Sequence, residues 1–540
     1  MKKRQRIIAV AAAALLAAPT IALAGCTGTD ETVVLRVSNW EEYIDLGDWD
    51  DEEAIDIENK YTGEDYIMGV NSVVDDFTEW FNSQDYGFEV RVEYSTFGTN
   101  EDLYNQLNLG DVYDLVCPSD YMIMKLLDEG EVQPFSEDFM DTSNPENYYI
   151  NGVSEYIDGA EGSIFDEYGW SGIAACYMWG TTGLVYNPER IDEEGSDVTS
   201  WNMLTNPDYY KSVTIKDNVR DAYFAALSIL YEDELNAINA DSDMTEAEKS
   251  QARSNLLNAT DPDTIAAAED MLKAIKENVY SFETDSGKAD MVTGKVIGNL
   301  QWSGDAVYIM DQADEEDTEL WYSVPDSNTN LWFDGWVMLK DGIGGDERRL
   351  TAAEAFVNFL ARPDIAVRNM YYIGYTSSSA SDEIFEYFDW CYGAVTDPED
   401  EEYYELDSGV YEYDVSYFFG DGYSIYIDMN ELKTEGAVDT GETVDGTPIY
   451  TGGTINQGRQ AFGQYPTEDV IGRSVVMLDF GDDLAAINQM WINVRCLDLV
   501  DIDVTTVIVV AVIIVVIAAA IVLYRFRYAI FYNRPRRRQV

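Results

Sequence analysis

The apolar and polar positions of this chain fall into alternating strand-like and helix-like runs. Val33-Val34-Leu35-Arg36-Val37 reads as a first strand, buried on at least one face. It runs straight into Ser38-Asn39-Trp40-Glu41-Glu42-Tyr43-Ile44, a loop at a strand end. Val73, Val74, Phe77, Trp80 and Phe81 share one helical side. Phe88 to Tyr94 alternates and predicts a second strand. Asn100 to Leu109 predicts a helix, Tyr113 to Cys117 a third strand, and Met122 to Leu127 the start of another helix. This βαβα order predicts a parallel sheet in an α/β protein.

The pattern continues less regularly. Ile173 to Tyr186 predicts a strand pair around Tyr177-Met178-Trp179-Gly180. Val213-Thr-Ile-Lys216 is a short strand that leads to Asp217-Asn218-Val219-Arg220-Asp221 and a helix through about Tyr231. Thr245-Glu-Ala-Glu248 is a capping box, in which the Thr and Glu side chains satisfy two exposed helical N–H groups. Ile265 to Lys276 predicts a helix, and Val296 to Leu300 a strand running into Gln301-Trp302-Ser303-Gly304-Asp305. A helix from Thr351 is stopped by Pro363, and Ile373-Gly-Tyr375-Thr376 reads as a loop. Ser474 to Leu499 returns to helix. Residues 45–70 are acidic and irregular and predict an inserted surface loop. Residues 382–465 are acidic and Tyr-rich with Gly turns, and predict an inserted β-hairpin.

Both ends carry membrane signals. Lys2, Lys3, Arg4 and Arg6 precede an apolar run from Ile7 to Ala24, the layout of a signal peptide over residues 1–25. Leu23-Ala24-Gly25-Cys26 looks like a bacterial lipobox, which implies cleavage before Cys26 and lipidation of its thiol. Near the other end, residues 504–524 are apolar except for two threonines and Tyr524. About 20 such residues span a hydrocarbon core as a helix. Six arginines follow in 525–540, so the positive-inside rule predicts a cytoplasmic tail and a body on the outer side of the cell membrane.

Composition narrows the chemistry. The 540 residues contain no histidine, which excludes Ser-His-Asp and Cys-His catalysis and histidine metal sites. None of the five cysteines forms a C-x-x-C pair. The two ends hold ten of the 33 basic residues and no acid, leaving 23 basic against 102 acidic residues between them. Such a surface repels nucleic acid and concentrates cations, and it also suits a soluble or salt-adapted protein.

One stretch joins that charge to a ligand chemistry. Leu331-Trp332-Phe333-Asp334-Gly335-Trp336 places a carboxylate among aromatic rings and continues as Val337, Met338 and Leu339. A carboxylate takes an ammonium, and ring faces take methylenes and add cation–π attraction. The alternative is an edge strand with core tryptophans and an incidental Asp. Four other strand-end loops repeat the theme, at 39–43, 118–121, 217–221 and 301–304.

Taken in order, these pieces resemble the periplasmic spermidine/putrescine-binding proteins of ABC importers. They are Asn39-Trp40-Glu-Glu-Tyr43, Tyr113-Asp114-Leu-Val-Cys-Pro118-Ser119-Asp-Tyr121, Trp179-Gly180-Thr-Thr-Gly-Leu-Val-Tyr-Asn187, Ser200-Trp201, Asp217-Asn-Val-Arg220-Asp221, Trp302-Ser-Gly304, Trp332-Phe-Asp334 and Ile373-Gly374-Tyr375. The resemblance implies an α/β, two-lobed type-2 periplasmic-binding-protein fold with crossing hinge strands, to which the sequence adds a C-terminal transmembrane helix. It assigns residues 32–178 and 333–380 to one lobe, and 179–332 and 466–498 to the other. It leaves 382–465 as an acidic, Tyr-rich insertion.

Carried over position by position, the resemblance makes Trp40, Tyr43, Trp302, Trp332 and Tyr375 an aromatic box. It gives Ser119 and Tyr121 polar contacts, Asp334 one ammonium, and Asp221 another part of the cation. It implies a polyamine ligand, ABC permease and ATPase partners, and no cofactor. The chain departs from the family's common pattern at Asn218, where an acid is usual, and at Glu41, where Thr is usual. The expected function is an extracytoplasmic polyamine-binding component that captures its ligand by lobe closure. A membrane-anchored sensor or adhesion protein on the same fold, or a binding protein for another small solute, remains an alternative.

Overall fold

The computed structural model describes residues 32–191, 198–397, 403–404, 406–496 and Ile517. The lipobox at Cys26 and the cytoplasmic tail lie outside the described residues, as does the apolar segment 504–524 apart from Ile517. Among the described residues no helix is long and apolar enough to cross a membrane.

Two buried strands organise the molecule. Ala174–Tyr186 and Thr329–Leu339 are buried at every position. They pair antiparallel from Leu331 opposite Thr181 to Val337 opposite Ala174. Continuous burial explains why their sequences do not alternate. The run 173–186, expected as a strand pair, is one strand because both halves find partners. Its first half pairs with Thr329–Leu339, and its second half with Gly298–Trp302 and Trp321–Ser323.

On one side, Thr32–Trp40 lies parallel to Glu89–Phe97 over nine residue pairs and parallel to Leu115–Val116. Leu115–Val116 then meets Met338 and Val337 antiparallel. The expected parallel sheet is therefore present, and the strand Thr329–Leu339 closes its inner edge. On the other side, Val213–Lys216 runs parallel to both Ser281–Glu283 and Gly298–Trp302. All these strands belong to one sheet of 14.

Two large hydrophobic clusters flank the crossing. One contains Leu35, Phe77, Phe81, Ile123 and Phe356, and the other Trp201, Ile215, Phe224, Leu272 and Ile487. The capping box at Thr245 forms as expected and opens the helix Glu246–Leu257. A helix that the strand-and-loop reading of 296–305 passes over, Ser303–Glu315, packs its buried Ala306, Ile309, Met310 and Ala313 into the first cluster.

The inserted segments are more integrated than expected. In 45–70, Trp49, Ile55, Ile57 and Ile67 are buried, and Ile55 bridges Ile67. Asp45 anchors this stretch through a buried ion pair of 2.7 Å with Arg368. Residues 382–465 begin with the helix Asp382–Tyr392 rather than a hairpin. Four of their strands form a separate sheet, while Leu432–Glu435 and Thr454–Gly458 extend the main sheet through Gln457 opposite Ser323.

Candidate functional site

The site is built on an irregularity between the crossing strands. Asp334 is opposite Met178 and Gly335 opposite Cys176, so Tyr177 is left unpaired in the ladder. Such a bulge bends the strand and re-aims side chains. Here Gly335 donates its N–H to the Pro118 carbonyl at 3.1 Å, and Asp334 forms a single bridge with Ser119. The skipped Tyr177 donates its hydroxyl to the Tyr43 carbonyl at 3.1 Å. One bulge therefore brings together the 118–121 loop, the loop after the first strand and the crossing strands.

Asp334 is 6% exposed. Tyr43 donates its hydroxyl to Oδ2 and Ser119 donates its hydroxyl to Oδ1, both at 2.7 Å. Burial pushes the carboxyl up to about 6, opposed by those two hydrogen bonds alone. Among the described residues no cation pairs with it. A carboxylate offers about four acceptor directions, so two hydroxyls leave acceptor capacity unused.

Aromatic rings close around this group. The Tyr43 and Tyr375 rings meet edge to face at 4.8 Å, and Trp332 lies 5.7 Å from Tyr375. Trp332 donates its indole N–H to the Thr181 carbonyl at 3.1 Å, which fixes the ring along the crossing strand. The Tyr375 ring lies so close to Gly304 that a Cβ there would stand 2.3 Å from it. Glycine at 304 is thus a packing requirement.

Tyr375 links this cluster to a second. Its hydroxyl donates to Asp305 Oδ1 at 3.0 Å. Asp305 Oδ2 is 3.4 Å from Lys216 Nζ, and Oδ1 is 3.7 Å from Lys288 Nζ. Burial alone would raise the Asp305 carboxyl, but Lys288, Lys216 and the Tyr375 hydroxyl bring it below its ordinary range. Lys216 Nζ also sits 4.1 Å over the Trp302 ring and 3.6 Å from Glu283.

Trp302 donates its indole N–H to Asp221, whose carboxyl burial pushes up to about 6 against that bond and the charges of Lys216 and Arg220. Asp221 lies in the first turn of the helix Val219–Leu230, but the cap is Asn218, whose side chain accepts from the N–H groups of Arg220 and Asp221.

The nine expected site residues therefore separate. Tyr43, Ser119, Trp332, Asp334 and Tyr375 form one connected cluster. Trp302 and Asp221 form the second, joined to the first through Asp305. Tyr121 donates its hydroxyl to Glu101 at 3.3 Å, and its own titration feels both Glu101 and Asp221. Trp40 is half-buried and tilts against Phe97 on the adjacent strand at 4.8 Å.

Sequence reasoning missed Glu101, Lys216, Glu283, Lys288 and Asp305. Lysine at the end of a buried strand was the available signal for Lys216, and helical spacing after Asp305 the signal for its helix. A cavity of about 500 Å³ lies elsewhere, bordered by Asp311, Asp314, Trp390, Glu431 and Arg459. Arg459 pairs with Asp314 and Glu431 there, so part of that acidic lining is already neutralised.

Comparison with known proteins bears on this geometry. The spermidine/putrescine-binding periplasmic protein of Salmonella typhimurium LT2 is 28% identical over 289 residues, which cover 53% of this chain and 70% of that protein. The putrescine-binding periplasmic protein PotF of Escherichia coli K12 is 23% identical over 297 residues, 54% of this chain and 71% of its own. A solved structure assigned to a spermidine/putrescine ABC transporter of Listeria monocytogenes aligns with a TM-score of 0.52 at 19% identity, covering 86% of this chain and 98% of that one. At that identity the likeness establishes the fold, the mixed α/β type-2 periplasmic-binding-protein fold. The family model described as bacterial extracellular solute-binding protein matches residues 72–382, more than half the chain, and the chain belongs to that family.

Proposed function

We propose that this chain captures an alkyl-ammonium ligand of the polyamine class on the outer side of the membrane and delivers it to an ABC permease. The observation that carries this reading is Asp334, a buried carboxylate held by two hydroxyls, ringed by Tyr43, Trp332 and Tyr375, with no cation beside it among the described residues. An ammonium is the group that such a site lacks. It would replace the cost of a buried charge with a charge-assisted hydrogen bond, while the rings take the adjoining methylenes. The two relatives named above are a spermidine/putrescine-binding and a putrescine-binding protein, which supports the same ligand class.

In this reading the bodies that close are residues 32–178 with 333–380, and residues 179–332 with 466–498. A ligand that touches both favours the closed state by its differential affinity for it. Trp40, Tyr121, Asp221 and Trp302 would border the ligand beyond the Asp334 cluster. Lipidation at Cys26 and the apolar segment 504–524 would hold the protein at the membrane, with the basic tail inside. The test is titration calorimetry of the detergent-solubilised chain with spermidine and putrescine. Saturable binding that Asp334→Asn weakens is expected. Absence of binding to either amine would overturn the proposal.

A further inference from the structure

The cluster around Trp302 already has the composition of an alkyl-ammonium site, and its ammonium belongs to the protein. Lys216 ends the buried strand Val213–Lys216, and its side chain is 1% exposed. Its stem is a four-carbon chain, the same length as the arm of a diaminobutane. Nζ lies 4.1 Å over the Trp302 ring, 3.4 Å from Asp305 and 3.6 Å from Glu283, and donates to the Thr284 carbonyl at 2.8 Å. An ammonium has three N–H donors and no acceptor. An aromatic face, two carboxylates and a carbonyl satisfy it fully.

Two consequences follow for a ligand. A ring with a cation on one face offers little to a second cation on the other, because like-charge repulsion through the ring opposes the quadrupole attraction. The neighbouring carboxylates are also spoken for. Asp305 answers Lys216, Lys288 and the Tyr375 hydroxyl. Glu283 faces Lys216 and accepts from the Gly287 N–H and the Asn299 amide. Asp221 takes the Trp302 N–H beside the charges of Lys216 and Arg220. Asp334, unlike Asp305 and Glu283, has two hydroxyl partners and no lysine or arginine beside it among the described residues.

We propose that Lys216 determines specificity by filling the second ammonium seat from within, so that the ligand presents one ammonium, to Asp334, and a neutral or anionic group toward Trp302. The ligand class is then an end-capped amine, such as an N-acylated diamine or an ω-amino acid, rather than a free diamine. This rests on the Asp334 reading above and narrows it.

Calorimetry of the full chain with putrescine and with N-acetylputrescine separates the possibilities, since the two share one ammonium end and acetylation replaces the other with a neutral amide. The native chain should bind N-acetylputrescine at least as tightly as putrescine. Lys216→Met should swing the preference toward putrescine by about ten-fold or more. Lys216→Gln, which keeps a donor for the Thr284 carbonyl without the charge, should swing it the same way and serves if the Met variant folds poorly.

A native preference for putrescine of about ten-fold or more would overturn the inference, and the native comparison needs no variant. An unchanged preference in folded Lys216 variants would overturn it too. If putrescine is preferred and Asp334→Asn abolishes that binding, the polyamine reading stands and only the role of Lys216 falls. If neither compound binds, both fall.

Discussion

Asp334→Asn separates the two roles of that carboxylate, and the structure sets opposite signs for them. Without ligand, Asp334 is a liability. Its carboxyl titrates at about 6 in the folded protein instead of the ordinary 3.8, with burial as the main cause. The unfolded chain therefore releases this proton near pH 4 and the folded chain near pH 6. The cost is absent below about pH 4, grows between pH 4 and 6, and is complete above that, at about 3 kcal/mol.

Asparagine has nearly the same shape and no charge. It keeps one acceptor oxygen, so one of the two hydroxyls from Tyr43 and Ser119 must turn, at a cost of about 1 kcal/mol. The ligand-free variant should therefore be more stable than the native chain by about 2 kcal/mol at pH 7.5, and no more stable at pH 4. Toward an alkyl-ammonium ligand it loses a charge-assisted bond worth about 1.5–3 kcal/mol, or roughly ten- to hundred-fold in Kd. Urea denaturation at the two pH values reads the first effect, and calorimetry with putrescine and N-acetylputrescine the second. A variant that is less stable at pH 7.5 and binds both amines as the native chain does would refute the reasoning.

Three further outcomes are expected. Amine affinity in the native chain should fall as pH drops through about 6, because the protonated Asp334 no longer attracts a cation; calorimetry at pH 5 and pH 7.5 checks this. Arg368→Met should cost about 3–5 kcal/mol in urea denaturation, since it leaves the fully buried Asp45 carboxylate without its partner 2.7 Å away. Gly304→Ala should destabilise by about 1–3 kcal/mol and weaken amine binding together, because its Cβ would meet the Tyr375 ring at 2.3 Å; denaturation and calorimetry on the same sample read both.

What could be read in the sequence was what local pattern encodes. The alternation around 88–94 and the helical side through Val73, Phe77 and Phe81 depend on near neighbours, and these elements stand where expected. The aromatic and acidic character of the strand-end loops was also local, and the carboxylate in Trp332-Phe333-Asp334 stood out because Trp rings flank it. Tertiary pairing was not local. The single strand Ala174–Tyr186 looked like two because nothing in its own residues shows that each half has a different partner. The hairpin expected over 382–465 likewise ignored that two of its strands complete the main sheet.

The charge arrangement around Trp302 was the least legible feature, and the reason lies in register. Lys216 stands directly opposite Glu283 because Val213–Lys216 pairs in parallel with Ser281–Glu283, 67 residues further along the chain. Asp305 joins them from the start of a helix, and Lys288 reaches Asp305 from another while its Nζ also lies 3.4 Å from Glu42 in the loop after the first strand. In a chain with 102 acids, sequence gives no means of telling which carboxylates meet a cation. The bulge at Asp334 decides the complementary case, holding one carboxylate against two hydroxyls with no described lysine or arginine paired to it. On the proposed reading, an ammonium is selected by a buried acid that carries no cation, and not by how many acids surround the site.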